Sequence, residues 1–360
     1  MKHRVWLACA LLCAAPQASV FAQTGAQDWI PLQDGKTLKG WKAAENPRTW
    51  VVEHGVFVTR GDRSHLFYVG NVAKHDFKNF ELSAEVYTEP GSNSGIYVHT
   101  KLQGPGWPEA GYELQVINSN PPAERMGGYI EHKMTGSIYA VRNTWAAPVN
   151  DNEWFNYRIR VVGKTIQTFI NDKLICEYAE PEHPFRPEDK RGRLLGSGTF
   201  ALQAHDPGSV VKYRNIKVRI LPGDAAPPAG LVPLADGELD QLVTQLSNDN
   251  VPLIDFGLVS PDAADDSEFM SVLRRHGMTL LSAFPHQATD TPPASLLLFY
   301  DGEAAPDVAK LKAAKAAGIK MAFMSKPGSQ KFDEAQFKRR LKLISDAGLN
   351  GKDFWIPGKP

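Results

Sequence analysis

Three short runs carry side chains able to do chemistry. Residues 111–118 read Gly-Tyr-Glu-Leu-Gln-Val-Ile-Asn. Side chains of a strand alternate between its two faces. Tyr112, Leu114 and Val116 then point into a core, and Glu113, Gln115 and Ile117 point out of it. Residues 93–99 repeat the logic, with Ile96 and Val98 inward and Tyr97 and His99 outward. Residues 200–205 do so again, with Gln203 and His205 outward. Between these runs lie loops rich in glycine, proline and aromatic residues, notably 103–108 with Trp107. Polar groups mixed with rings suit sugars, whose hydroxyls need hydrogen bonds and whose flat faces stack on Trp and Tyr. A single outward Glu or His is ordinarily a solvated strand residue. Three such strands make a site only if the fold sets them side by side.

The elements that must position them follow from periodicity. Residues 50–52, 55–58, 80–87, 157–162, 165–170 and 213–218 alternate apolar and polar residues and are separated by Gly, Asn, Asp and Pro. Period-two runs of this kind predict antiparallel sheets, with Asn171-Asp172 as a hairpin turn. Two sheets packed face to face give a β-sandwich. Residues 222–237 are rich in Pro, Gly and Ala and read as a linker. Beyond it the pattern changes. Apolar runs at 251–256, 279–284, 295–300 and 319–324 alternate with helical stretches at 269–276, 308–317 and 332–347, each closed by glycine. This predicts a small α/β domain with a mostly parallel sheet over 238–360, too short for an eightfold βα barrel of roughly 250 residues.

Residues 32–41, Trp50-x-x-Glu53-x-Gly55, Phe77-x-x-Phe80-Glu81-Leu82, Asn93-Ser94-Gly95-Ile96 and Gly111-Tyr112-Glu113-x-Gln115 form an ordered series. Residues 135–139, Glu153-Trp154-x-x-Tyr157-Arg158-Ile159, Leu202-Gln203-x-His205 and Arg214-Asn215-Ile216 continue it. The series resembles the 3-keto-disaccharide hydrolase family, long known as the domain of unknown function DUF1080, over residues 28–221. The resemblance implies a concanavalin A-like jelly roll acting on 3-keto-glycosides in exported proteins. Such chemistry needs a base for the hydrogen on C2, a stabiliser for the enediolate, and an acid for the leaving group. On these positions His99 or His205 is base or acid. Glu113 is a base or, with Gln115, a ligand for a divalent cation such as calcium. No nucleotide cofactor is implied. Asn93, Tyr97, Trp107, Gln115, Lys133, Tyr139, Arg142 and Gln203 are the candidate sugar-binding side chains, and Glu131 and His132 lie beside Lys133. Asn118 departs from the family pattern, which commonly has an acidic residue there. A retaining glycosidase needs two carboxyl groups about 5 Å apart, so this strand argues against ordinary glucanase chemistry. The competing reading is a lectin-like protein that binds sugar without turning it over. A third is a scaffold whose C-terminal domain holds a protein partner.

Composition narrows the classes. The chain has 360 residues, no formal net charge and 42% hydrophobic residues, enough for a buried core and about two domains. Neither nucleic acid nor an anionic membrane surface is favoured by that balance. Lys2, His3 and Arg4 precede an apolar run at 5–12, and Val20-Phe21-Ala22 offers a cleavage signal. Residues 1–22 therefore read as a signal peptide, and the protein as periplasmic or secreted with no membrane span once mature. Cleavage removes Lys2 and Arg4 from the 40 basic residues, leaving a net charge of −2, and leaves Cys176 as the sole thiol. In the second domain, residues 251–258 resemble the first strand of amidohydrolase or PHP-type barrels. Gly257 and Val259 stand where those barrels have histidines, so a non-catalytic module is expected there.

Overall fold

The computed structural model describes residues 28–126, 130–144, 147–234, 237–249, 251, 296–300, 308–324 and 334–354. The expected leader, the barrel-like run after Val251, the strand at 279–284 and the helix at 269–276 lie outside the described residues.

The first domain is a sandwich of two antiparallel sheets. Its larger sheet is built from β1 (Ile30–Pro31), β3 (Trp50–Glu53), β4 (Val56–Thr59), β6 (Phe80–Thr88), β9 (Phe155–Val162), β10 (Thr165–Ile170), β11 (Lys173–Ala179) and β13 (Val211–Ile220). The order is β11-β10-β9-β6-β13-β4-β3, with β1 paired to the other part of β13. The smaller sheet holds β2 (Trp41–Ala43), β5 (Ser64–Tyr68), β7 (Ser94–Thr100), β8 (Tyr112–Val116) and β12 (Thr199–Ala204), in the order β2-β5-β12-β7-β8. The three strands with outward chemistry, β12, β7 and β8, are thus consecutive neighbours.

The alternation does what the sequence implies. Leu82, Ala84 and Val86 of β6, Tyr157, Ile159 and Val161 of β9, and Ile96, Val98, Leu114 and Leu202 of the smaller sheet fill one core. Phe77, Phe80 and Phe200 pack together in this core, Phe77 stacking on Phe200 with centroids 4.3 Å apart. Cys176 lies in this core. At the β10–β11 hairpin Asn171 and Asp172 both have positive φ, 47° and 63°. That turn matches the right-handed twist of the strands it joins.

Among the described residues beyond 234, α1 (Gly237–Asn248), β14 (Leu296–Tyr300), α2 (Val308–Ala316), β15 (Lys320–Met324) and α3 (Glu334–Asp346) follow in order. β14 and β15 pair in parallel, as expected for an α/β unit. Leu239, Val243 and Leu246 of α1 share a second apolar core with Leu311, Met321, Leu341 and Ile344. The sequence reading has no helix at α1. Among the described residues, no helix is long and apolar enough to cross a membrane.

Candidate functional site

The site grows from the outer face of the smaller sheet. Register sets His65 of β5 opposite Gln203 of β12, and Ala201 opposite both Phe67 and Tyr97. On the other side of β7, Tyr97 faces Glu113 and Gly95 faces Gln115. Phe67, Tyr97 and Ala201 form a small apolar floor. Gly95 keeps the centre open: a Cβ there would stand 3.0 Å from Oε1 of Glu113. Any larger residue would crowd the Glu113 side chain, which lies against Gly95.

Glu113 is buried, and both its oxygens are occupied. Nη2 of Arg193 donates to Oε2 at 3.0 Å, and Nε2 of Gln203 donates to Oε1 at 2.9 Å. The same Gln203 nitrogen donates to the Tyr97 hydroxyl at 3.0 Å. Burial, then the Glu113 charge, pushes the Tyr97 phenol well above its usual range, so it stays protonated. Burial alone would lower the Arg193 guanidinium; Glu113 outweighs it and raises it.

Residues 131–144 run along the edge of β8. Tyr139 N donates to Glu113 O, and Gln115 N to Ser137 O. On this wall the Tyr139 hydroxyl donates to Oε2 of Glu131 at 2.9 Å, with Lys133 Nζ 4.9 Å from the Tyr139 ring on one side and Arg193 at 5.2 Å. Burial lowers the Lys133 ammonium, and the neighbouring Glu131 opposes that shift.

The opposite wall is a file of rings. His65 lies edge-on to Tyr97 at 5.7 Å and to Trp107 at 5.4 Å, and Trp107 meets His205 at 5.3 Å. Nδ1 of His65 pairs with Oε1 of Glu45 at 3.1 Å. Glu45 also accepts from Gly106 N at 2.8 Å and from Arg63, whose guanidinium lies 5.0 Å from the Trp107 ring. Beyond Trp107, Nδ1 of His205 pairs with Oδ2 of Asp206 at 2.9 Å. Burial would raise Asp206, but His205, Ser209 and the charge of Arg125 bring it down to about 2.

Buried polar atoms are nearly always hydrogen-bonded. Here Nε2 of His65, Oε1 of Gln115, Nη1 of Arg193 and Oε1 of Gln203 are buried with no partner. All four belong to residues of this face or to the arginine bound on it. Single atoms of Thr100, Tyr157 and Arg219 are unpartnered elsewhere in the sandwich, but this face gathers four, as a site completed by a ligand would.

The structure thus gathers Glu113, Gln115, Tyr97, Gln203, Tyr139 and Lys133 with Trp107 and His205, and joins Asn93 to them through Gln115 Nε2 at 3.1 Å. Two expected residues lie elsewhere. His99 has φ 54°, and the β7–β12 register shifts beside it, so alternation fails at this position. Its ring turns against Phe80 in the core; Nε2 bonds Lys78 O and Nδ1 accepts from Gly196 N. Burial lowers it to about 4, so it is neutral at ordinary pH. Arg142 turns the other way, to Asp240 and Thr244 of α1 at 2.8 and 3.3 Å, beneath the Tyr178 ring. Asn118 braces the end of the sheet through Thr88, Thr135 and Asn150 and does not face Glu113. His65, Glu45 and Arg193 escape the sequence reading. His65 shares the outward parity of its neighbours, which is a usable signal; Arg193 sits in an irregular loop that offers none.

A divalent cation fits these residues poorly. Glu113 already holds a guanidinium, whose charge would repel the ion. Gln115 adds only one neutral oxygen. Among the described residues no three His, Cys, Asp or Glu side chains gather as a ligand set.

Residues 28–219 match the family model described as a 3-keto-alpha-glucoside-1,2-lyase-like domain. A curated relative, the 3-keto-disaccharide hydrolase of Bacteroides thetaiotaomicron, is 28% identical over 249 residues, 58% of this chain and 84% of its own. Among solved structures, a presumed glycosyl hydrolase of Parabacteroides distasonis ATCC 8503 is 24% identical, covering 54% of this chain and 94% of that one at a TM-score of 0.44. A carbohydrate-binding module from Bacillus subtilis is 12% identical, covering 50% and 95% at a TM-score of 0.34. The family model spans more than half of the chain and encloses every strand of the sandwich but the last residue of β13, so the chain belongs to the 3-keto-alpha-glucoside-1,2-lyase-like domain family.

Proposed function

We propose that this protein is an exported, carbohydrate-active enzyme that cleaves 3-keto-glycosides at the outer face of the smaller sheet. The observation that carries the reading is the set of four unpartnered buried polar atoms around Glu113. Membership of the family and the name of the Bacteroides relative support the substrate class. The basic start, the apolar run and Val20-Phe21-Ala22 support export.

The chemistry follows from the substrate. A ketone at C3 acidifies the hydrogen on C2. When a base takes that proton, the C2–H electron pair forms the C2=C3 bond of an enediolate and negative charge collects on the C3 oxygen. As the C3 carbonyl re-forms, the pair moves to C1=C2, and the glycosidic C1–O bond breaks. The leaving oxygen takes a proton. Water then adds its oxygen to C1, C2 regains a proton, and the net result is hydrolysis. Nη1 of Arg193 is the donor for the developing oxyanion, because Glu113 fixes its guanidinium and no other acceptor claims that nitrogen. Gln203 and Gln115 offer carbonyl oxygens to sugar hydroxyls. Trp107, the most exposed ring of the site, is a platform for a sugar face.

Product analysis with purified protein, a 3-keto-disaccharide and its unoxidised parent tests this. Cleavage of the keto sugar alone is expected. Glu113→Gln, which removes the charge that holds Arg193, should lower kcat/KM by at least about 10²-fold. Equal action on both sugars, or full turnover by Glu113→Gln, overturns the reading. Binding of the keto sugar without turnover replaces it with the lectin-like alternative.

A further inference from the structure

We infer that Nε2 of His65 is the atom that takes the C2 proton, with Glu45 as the residue that positions it. The inference rests on the 3-keto-glycoside reading and names the base that reading needs.

A core histidine satisfies both ring nitrogens, and His99 does so with Lys78 O and Gly196 N. His65 is as thoroughly buried, yet Nε2 has no partner. A buried polar atom left without a partner is costly, so it calls for a reason. Glu45 can only accept, so Nδ1 carries the hydrogen and Nε2 carries the open lone pair. Glu45 cannot turn away, because Gly106 N and Arg63 hold its oxygens. The tautomer is therefore fixed with its basic nitrogen on the face shared with Gln203.

The competing groups are committed. Both oxygens of Glu113 already accept hydrogen bonds, from Arg193 and Gln203. His99 faces the core. His205 is half-buried and its Nδ1 is held by Asp206. Tyr97 is held protonated.

The charged groups around His65 act in opposite senses. Burial lowers its pKa most; Glu45 and, more distantly, Glu113 raise it, and Arg63 lowers it again. The net shift is downward, so the ring is neutral and able to accept at neutral pH. Once Nε2 takes the proton, the Glu45 carboxylate stabilises the imidazolium. His205, whose Nδ1 is held by Asp206, gives a proton to the leaving oxygen. In the second half, water adds to C1 and returns a proton to His205, and His65 returns its proton to C2. Both rings end as they began. Trp107 lies edge-on to the His65 ring, on a loop with Gly104, Pro105 and Gly106.

The test uses the full chain, a 3-keto-disaccharide, and deuterium entry at C2 in heavy water. His65→Gln should lose about 10²–10⁴-fold in kcat/KM together with C2 exchange, while KM changes little. Glu45→Gln should move the acid limb of kcat/KM to lower pH, since the charge that raises His65 is gone; a merely structural residue would leave that limb in place. Should His65→Gln fail to fold, the Glu45→Gln limb decides. Wild-type turnover with C2 exchange intact in His65→Gln, or an unmoved limb in Glu45→Gln, overturns the inference alone. Absence of turnover by the wild type overturns the reading beneath it as well.

Discussion

The two sheets of this sandwich each present a glutamate–arginine pair on the outer face, and the pairs have opposite surroundings. On the larger sheet, Nε of Arg214 meets Oε2 of Glu85 at 2.7 Å with the side chains 40% and 32% exposed. On the smaller sheet, Nη2 of Arg193 meets Oε2 of Glu113 at 3.0 Å with 12% and 8% exposed. Strand alternation places both glutamates outward by the same rule. What differs is the cover. The larger face is open to water, and Asn215 completes the coordination of Glu85. The smaller face is walled by residues 131–144, by the Trp107 loop and by the loop carrying Arg193. Outward therefore means partial exposure on one sheet and burial on the other. A buried pair is costly to break, whereas an exposed one adds little.

The cover is itself held from outside the sandwich, and breaking that hold should have the largest effect on stability. Arg142, at the end of the wall that carries Tyr139, forms an ion pair with Asp240 of α1, with side chains 1% and 3% exposed. Nδ2 of Asn143 donates to Ser247 O at 2.9 Å beside it. Arg142→Met leaves Asp240 buried without its countercharge. The expected cost is about 3–5 kcal/mol, read as a lower melting temperature and as faster proteolysis between the sandwich and α1. An unchanged melting temperature would mean that the wall stands without α1.

Next in size is a change that leaves the cover in place and alters one donor. Arg193→Lys keeps a positive charge for Glu113 but loses the planar fork that serves Glu113 and the open direction together. kcat/KM toward a 3-keto-disaccharide should fall by about 10²–10³-fold while the melting temperature moves little. A matching loss of stability would make the arginine a structural brace and would bring the two faces closer in kind.

How much of this was legible in the residues depends on the interaction involved. The sandwich strands are, because a period of two survives burial of one face, as in Phe80–Thr88. Glu113, Gln203 and Tyr97 are legible for the same reason. His99 obeys the same parity in the sequence and breaks it in the fold, because a positive φ and a register shift rotate it inward. His65 is obscured by composition: in Ser64–Tyr68 a polar residue, Ser64, points inward and an apolar one, Phe67, points outward. Arg193 lies where no period exists. Arg142 reads as a cleft residue because its partners lie in α1, about 100 residues further along the chain. Contacts of that range have no local signature.

The smallest expected effect is the control that gives the comparison its meaning. Glu85→Gln removes the charge from the exposed pair while keeping the size of the side chain. Its carboxylate sits below its usual range: partial burial alone would raise it, but the hydrogen bonds from Asn215 and Arg214 and the Arg214 charge prevail. That shift is screened by water, since about a third of the side chain is open. Arg214 keeps its stacking on the Trp154 ring at 4.0 Å whether or not Glu85 is charged. The loss should be under about 1 kcal/mol by denaturant unfolding, with kcat/KM unchanged. A low carboxylate pKa also fixes the sign with pH: the contribution is present above the unfolded pKa and fades as pH falls through the folded one. The small loss should therefore shrink further in acid. If Glu85→Gln instead cost as much as Arg142→Met, exposure would not be what separates the two faces, and the cover over Glu113 would lose its explanatory role.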